Sequence, residues 1–183
     1  MYGWHFLKKD QKLQFPPHTL VTAGQQLTID LPIELCSRGF HASKKPLDAL
    51  QYAPGPVICR VSLSGKIVHD NDKSVATKRR VIWLADATMV LHEFACLCAE
   101  DALKVANVTD ERCWRAIRIK RQWMKGKATD KELATARDAA WDAAWDAAWD
   151  AARATATWDA ARDAARSTQN QKLEKMLRSL KEG

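Results

Sequence analysis

Apolar and polar positions change their period along this chain. Over residues 2–84, short runs rich in β-branched and aromatic residues (GWHFL, TLVTAGQQLTI, IELC, VICRVSLS, GKIVH and RRVIWL) are separated by PP, AG, SRG, APGP, SG and DND. Runs of this kind between turn-forming residues predict the strands of a mainly antiparallel sheet. Residues 46–52 predict one short helix among them. Pro46 suits a first helical turn, Leu47 and Leu50 supply a face, Pro54-Gly55-Pro56 stops it, and Ser43 stands where an N-cap leads in. After residue 86 the period becomes helical, with Met89, Leu91, Phe94, Ala95, Cys98, Ala102 and Val105 on one broad face suited to a sheet. Thr109 is the predicted N-cap of a second helix, ERCWRAIRIKRQWMK, which Gly126 ends. The predicted class is α+β. An α+β module over residues 1–85 is followed by a helical pair over 86–128, packed on the sheet, and by a long Ala/Trp-rich helix with a terminal amphipathic helix over 129–183.

The last region is dominated by one tetrapeptide, repeated in RDAAWDAAWDAAWDAAR over residues 137–153. Thr129-Asp130-Lys131-Glu132 forms a capping box, and no breaker follows until Ser167. A helix of about 37 residues would run about 55 Å at about 1.5 Å per residue. Steps of four residues place Trp141, Trp145 and Trp149 on one slowly winding ridge. Asp138, Asp142, Asp146 and Asp150 form a parallel ridge whose neighbours repel. A lone helix gains nothing from such a pattern. An indole N–H prefers a partner when buried, and the adjacent carboxylates can accept. Three uses stay open: packing on the chain's own helices, self-association with Arg137, Arg153, Arg162 and Arg166 of a second copy facing the aspartates, or docking of a host protein. Leu173, Met176, Leu177 and Leu180 give the terminal segment bundle spacing.

At 183 residues and 46% hydrophobic, the chain has material for one ordinary domain and an appendage. The net charge of +7 lies mainly in the front half, which permits a phosphate-bearing partner without requiring one. No apolar run approaches the roughly 18–20 residues that span a bilayer, and the N-terminal segment has no signal-peptide core, so a cytoplasmic protein is expected. The five cysteines are odd in number and lack CxxC spacing, as reduced thiols do. His92 and Cys96 offer two ligands at helical spacing but no complete site, so no metal is expected. His69-Asp70-Asn71-Asp72-Lys73 lacks the positions of a calcium loop and predicts a polar turn. Lys78, Arg79 and Arg80, with Lys73 and Arg60, are candidates for a phosphate. Trp114, Arg118, Arg121 and Lys125 fall on one side of the second helix, where an aromatic bracketed by cations suits a nucleic-acid strand.

The densest constellation is LCSRGFHASKKPLDALQYAPG, residues 35–55. Gly39 turns the chain into a strand presenting His41 and Ser43, and the following helix leads to Tyr52. GFHASKKPLDALQYA resembles the Gly-x-Tyr-Phe-Ala/Ser…Ala-x-x-Tyr segment of ADP-ribosyltransferase folds of the poly-ADP-ribose polymerase type. GWHFL resembles the first strand on which those proteins carry an NAD-contacting histidine. The resemblance implies His5 on a ribose, Ser43 near a carboxamide and Tyr52 stacked on a nicotinamide ring, with NAD as cofactor. His41 stands where that family has tyrosine, and no late strand offers its glutamate; Glu93, the nearest acid in order, falls in a helical pattern. The resemblance therefore implies ligand binding more readily than transfer. More broadly, the order GWHFL, GFHAS, YAPGPVICRVSLSGKIVHDNDKSVA, HEFAC and Ala-Trp-Asp repeats resembles a family of uncharacterised phage and prophage proteins, which implies an accessory role in host takeover or counter-defence. The leading expectation is a non-enzymatic binding protein that holds a nucleotide-like ligand at His5, His41, Ser43 and Tyr52 without a cofactor. The alternatives are an NAD-using transferase and a nucleic-acid-binding protein.

Overall fold

The structure is a computed structural model that describes residues 1–15, 18–151 and 158–181, with side chains throughout these except at 144–151 and 158–162. Tyr2–Leu7 forms β1, Gln26–Thr28 β2, Phe40–Ala42 β3, Pro46–Leu50 α1, Val57–His69 β4 and Ser74–Asp86 β5. They are followed by α2 (Thr88–Val105), α3 (Glu111–Met124), α4 (Asp130–Ala151) and α5 (Trp158–Ser179). The fold is α+β, with one antiparallel sheet of five strands in the order β1-β4-β5-β2 and β3 also pairing with β5. The chain divides into two units, residues 1–88 with 167–183, and residues 89–166.

In the first unit, β4 and β5 form a long hairpin. Its turn is the Asp70–Lys73 segment, closed by the Asp70 N–H donating to the Lys73 carbonyl at 2.9 Å. The runs VICRVSLS and GKIVH, predicted as two strands, join into β4 because the Ser64-Gly65 break is a bulge rather than a turn. Gly65 has φ +76° there, and the Lys66 N–H donates to Thr77 Oγ1 at 3.1 Å. β3 pairs with Ser74–Ala76 and β2 with Lys78–Arg80, so both lie along one edge of β5. Trp4 and Ser43 then exchange two backbone hydrogen bonds, 2.8 and 3.0 Å, which bring the end of β3 back to β1 and curl the sheet. IELC is not a strand but a loop with one isolated Glu34–Arg38 bridge, and only Gln26–Thr28 of TLVTAGQQLTI is strand.

Residues paired across antiparallel strands share a face. His5 lies opposite Cys59, Leu7 opposite Val57, and Leu63 opposite Arg79, so these face inward with the core of Val21, Val61, Ala76 and Val81. Trp4, Arg60 and Trp83 line up across three strands on the other face. Residues 167–181 return to this unit. Asn170 Oδ1 accepts from the Leu47 N–H at 3.0 Å, the Arg178 guanidinium lies 5.7 Å from the Trp4 ring centre, and Leu173 and Leu177 are fully buried.

In the second unit, α3 packs along α4. Arg121 is held by Glu93 and Glu100 of α2, and the Trp114 indole donates to the Val108 carbonyl at 2.9 Å. The predicted capping box is present: the Thr129 N–H donates to Glu132 at 2.7 Å and the Glu132 N–H to Thr129 Oγ1 at 3.2 Å. Three predicted boundaries shift. The N-cap of α3 is Asp110, not Thr109, because the carboxylate accepts from the Arg112 N–H. α1 is capped at Lys45 rather than Ser43 and ends at Leu50, before Tyr52. The terminal amphipathic segment is not a separate helix but the second half of α5, which starts at Trp158, and residues 167–183 belong with the sheet unit rather than with the repeat.

Candidate functional site

A cavity of about 590 Å³ opens in the first unit, within the range of small-ligand sites. All four residues predicted to hold a ligand, His5, His41, Ser43 and Tyr52, line it. β1 contributes His5 on the inward face. β3 contributes His41, and the Ser43 backbone bond to Trp4 closes the wall between β1 and β3. Gly39, at φ +125°, makes this entry possible, since a Cβ there would stand 2.4 Å from Val75 Cγ2. Phe15, Phe40 and Tyr52 add aromatic surface, while Arg38, Lys73 and Arg79 add positive charge.

The polar groups of the wall are tied to one another. The Cys36 N–H donates to His41 Nε2 at 3.0 Å. Burial, opposed by a backbone hydrogen bond to Gly39, holds the His41 pKa below its ordinary value, so the ring is neutral near pH 7. His5 is held well below its ordinary value, first by burial and then by the Arg79 and His41 charges. The Tyr52 hydroxyl donates to Asp72 at 2.6 Å and accepts from Lys73 Nζ at 3.2 Å, while the Lys73 ammonium lies 4.2 Å from the ring centre. Hydrogen bonds to Cys36 and then Tyr52 raise the Lys73 pKa, so its charge persists. Tyr52 is 51% exposed, leaving surface for a ligand beside the ammonium. Burial pushes the neighbouring Cys59 thiol up to about 12, which makes it unreactive.

The proposed phosphate set does not come together. Arg79 is 2% exposed and lines the cavity, whereas Lys78 and Arg80, its neighbours on β5, are exposed. Arg60 lies on the opposite face, its guanidinium 4.6 Å from the Trp4 ring centre. The alternation of β5 carries this signal, since every second residue of Lys78-Arg79-Arg80 must turn inward. Cys36, Arg38 and Phe15 also line the cavity. They sit in irregular segments with no periodicity to mark them.

The predicted nucleic-acid face of α3 is largely spoken for by carboxylates. Arg121 pairs with Glu93 at 2.7 Å and with Glu100, and Arg118 pairs with Glu111. Glu93, the nearest acid by order to a transferase glutamate, is thus an ion-pair partner on α2. In the repeat, Trp141 is 70% exposed and Asp142 is exposed. The side chains of Trp145, Trp149, Asp146 and Asp150 lie outside the described residues. Among the described residues no group of three or more His, Cys, Asp or Glu is placed to hold a metal, and no helix is long and apolar enough to cross a membrane.

Neither a curated protein nor a solved structure matches the chain. A family match covers residues 1–93, a span that includes every residue lining the cavity and stops before the tryptophan repeat. The chain belongs to the family described as Domain of unknown function (DUF7666).

Proposed function

We propose that the first unit is a binding module for a nucleotide-like small molecule, and that the repeat helix mediates self-association or docking to a host protein. The observation that carries the reading is the convergence of His5, His41, Ser43 and Tyr52 on one cavity. Aromatic rings offer faces to a base, neutral imidazoles and Ser43 offer hydrogen bonds to sugar hydroxyls, and no carboxylate stands among the lining residues to repel phosphate. The phage-type setting of takeover or counter-defence rests on the likeness of sequence motifs.

Native mass spectrometry and calorimetry on the full chain with nucleotides test the module. Tyr52→Ala is expected to weaken binding about tenfold or more, the usual loss when a base loses its stacking partner. Affinity unchanged from the parent in both Tyr52→Ala and His41→Ala would remove the cavity from the mechanism. A second reading, NAD-dependent ADP-ribosyl transfer, is favoured by the placing of His5, Ser43 and Tyr52 around one cavity. It is disfavoured because neither Glu93 nor any other acid lines that cavity among the described residues. It requires an NAD-dependent mass increase on a target protein, abolished in Tyr52→Ala.

A further inference from the structure

The guanidinium of Arg79 is buried, and part of it has no partner among the described residues. Its Nη1 donates to the His41 carbonyl at 3.3 Å, but Nε and Nη2 are buried without any hydrogen bond among the described residues. These two atoms form one edge of the guanidinium, the side-on fork whose parallel N–H bonds match two oxygens of one anion. The chain uses this same edge elsewhere: Arg112 puts Nε and Nη2 on the two oxygens of Asp110 at 3.1 and 2.7 Å, while Arg121 and Arg178 close it on one oxygen of Glu93 and of Glu174. Among the described residues, only at Arg79 does a buried fork of this kind lack its oxyanion.

A buried, half-satisfied cation is costly, and the protein does little to offset it. The Phe40 ring lies 5.2 Å from the guanidinium carbon, and the nearby Cys59 is a neutral thiol. Burial pushes the Arg79 pKa down to about 10, still far above neutrality, so the charge is present. His5, His41 and Cys59 interact electrostatically with it, and no carboxylate is among the residues that line its cavity. An apolar side chain of similar length would serve the core better, so the residue at this position points to a ligand rather than to packing.

We infer that Arg79 is the anchor of a phosphate subsite, and that the ligand of the cavity carries a phosphate group whose oxygens take the Nε–Nη2 fork. The inference rests on the reading of the cavity as a ligand site and adds the chemical class. Phosphate is favoured over carboxylate because Arg38 and Lys73 line the same cavity with no acid among the lining residues. Asp72, which accepts from the Tyr52 hydroxyl, offsets one of the three cations and leaves an excess of positive charge suited to a dianion. The fork is covered in the free chain, so binding includes a side-chain rearrangement that opens it to the cavity.

The test compares AMP, adenosine, inorganic phosphate and acetate as probes of the full chain, by calorimetry and by thermal shift. AMP is expected to bind at least about tenfold more tightly than adenosine, the strength of a charge-assisted bidentate contact. In Arg79→Met that gap should close to within about threefold while adenosine affinity is kept, and the unliganded variant should melt no lower than the parent. If Arg79→Met does not fold, Arg79→Lys keeps a charge but loses the fork, and the gap should narrow there as well. An AMP preference unchanged in the folded variants overturns the subsite and leaves the cavity reading standing. Stabilisation by phosphate alone, absent in Arg79→Met, sustains the subsite and removes the nucleotide-like reading. Acetate acting as strongly as phosphate overturns the assignment of phosphate, and no response to any probe overturns both.

Discussion

Two imidazoles in the cavity wall couple the fold to pH. His5 and His41 both have folded pKa values below the ordinary value of about 6.5, so the native state binds their protons less readily than the unfolded chain. Their contribution is complete above pH about 6.5 and is lost as pH falls from there toward the folded values. A melting temperature that declines between pH 7 and 5, with a shallower decline in His5→Gln, is the expected result; identical profiles would count against it. Gly39 sets a second residue-scale limit. Its φ is +125°, and an alanine methyl there would meet Val75 Cγ2 at 2.4 Å. Gly39→Ala should therefore cost about 2 kcal/mol or more in denaturant unfolding. At this scale the sequence was informative where polar residues cluster around a glycine turn, as at His41 and Ser43. It was incomplete at Arg79, because a run of three cations marks a phosphate candidate without separating the inward Arg79 from the outward Lys78 and Arg80 until the alternation of the strand is applied to it.

The Arg121 junction dominates the helices of the second unit. Glu100 is held below its ordinary pKa chiefly by its hydrogen bond to Arg121, and Arg121 is correspondingly raised. The carboxylate's contribution is therefore present above pH about 4.3 and disappears as pH falls through the lower folded value. Arg121→Met should lower stability by about 1–2 kcal/mol at pH 7 and flatten this acid limb. Unchanged acid sensitivity in the variant would assign the limb to other groups. Replacing Thr129 by Ala should cost about 1 kcal/mol and raise hydrogen exchange at the start of α4. Element types were legible because periods of two and of about 3.6 differ plainly over long runs. Boundaries were less so. Ser64-Gly65 reads as a turn but folds as a bulge within β4, and Thr109 competes as a cap with the charged Asp110 beside it.

At the scale of the whole molecule, the repeat and the cavity belong to different units. Trp141 leaves most of its surface uncovered, and an exposed indole suits packing against another helix. Replacing Trp141, Trp145 and Trp149 together by alanine should preserve helix content and nucleotide affinity while changing the assembly mass or the capture of a partner. If native mass and capture both stay as before, the ridge has no role in association. The change of period after residue 86 falls beside the boundary between the two units at residues 88 and 89. The return of the chain was not legible, because the apolar spacing of Leu173 and Leu177 announces a buried face without naming its cover.

That return makes the helical unit an excursion from a fold that the chain rejoins at residue 167. The segment that defines the family, residues 1–93, supplies the cavity but not Leu173, Leu177 or Asn170, which complete the same unit. A boundary of sequence likeness is here not a boundary of folding. A fragment ending at residue 93 should be poorly soluble, with rescue when residues 167–183 are rejoined through a short linker. By the same logic a change in the number of four-residue units falls in the other unit and beyond the family match, so it leaves the residues that line the cavity untouched.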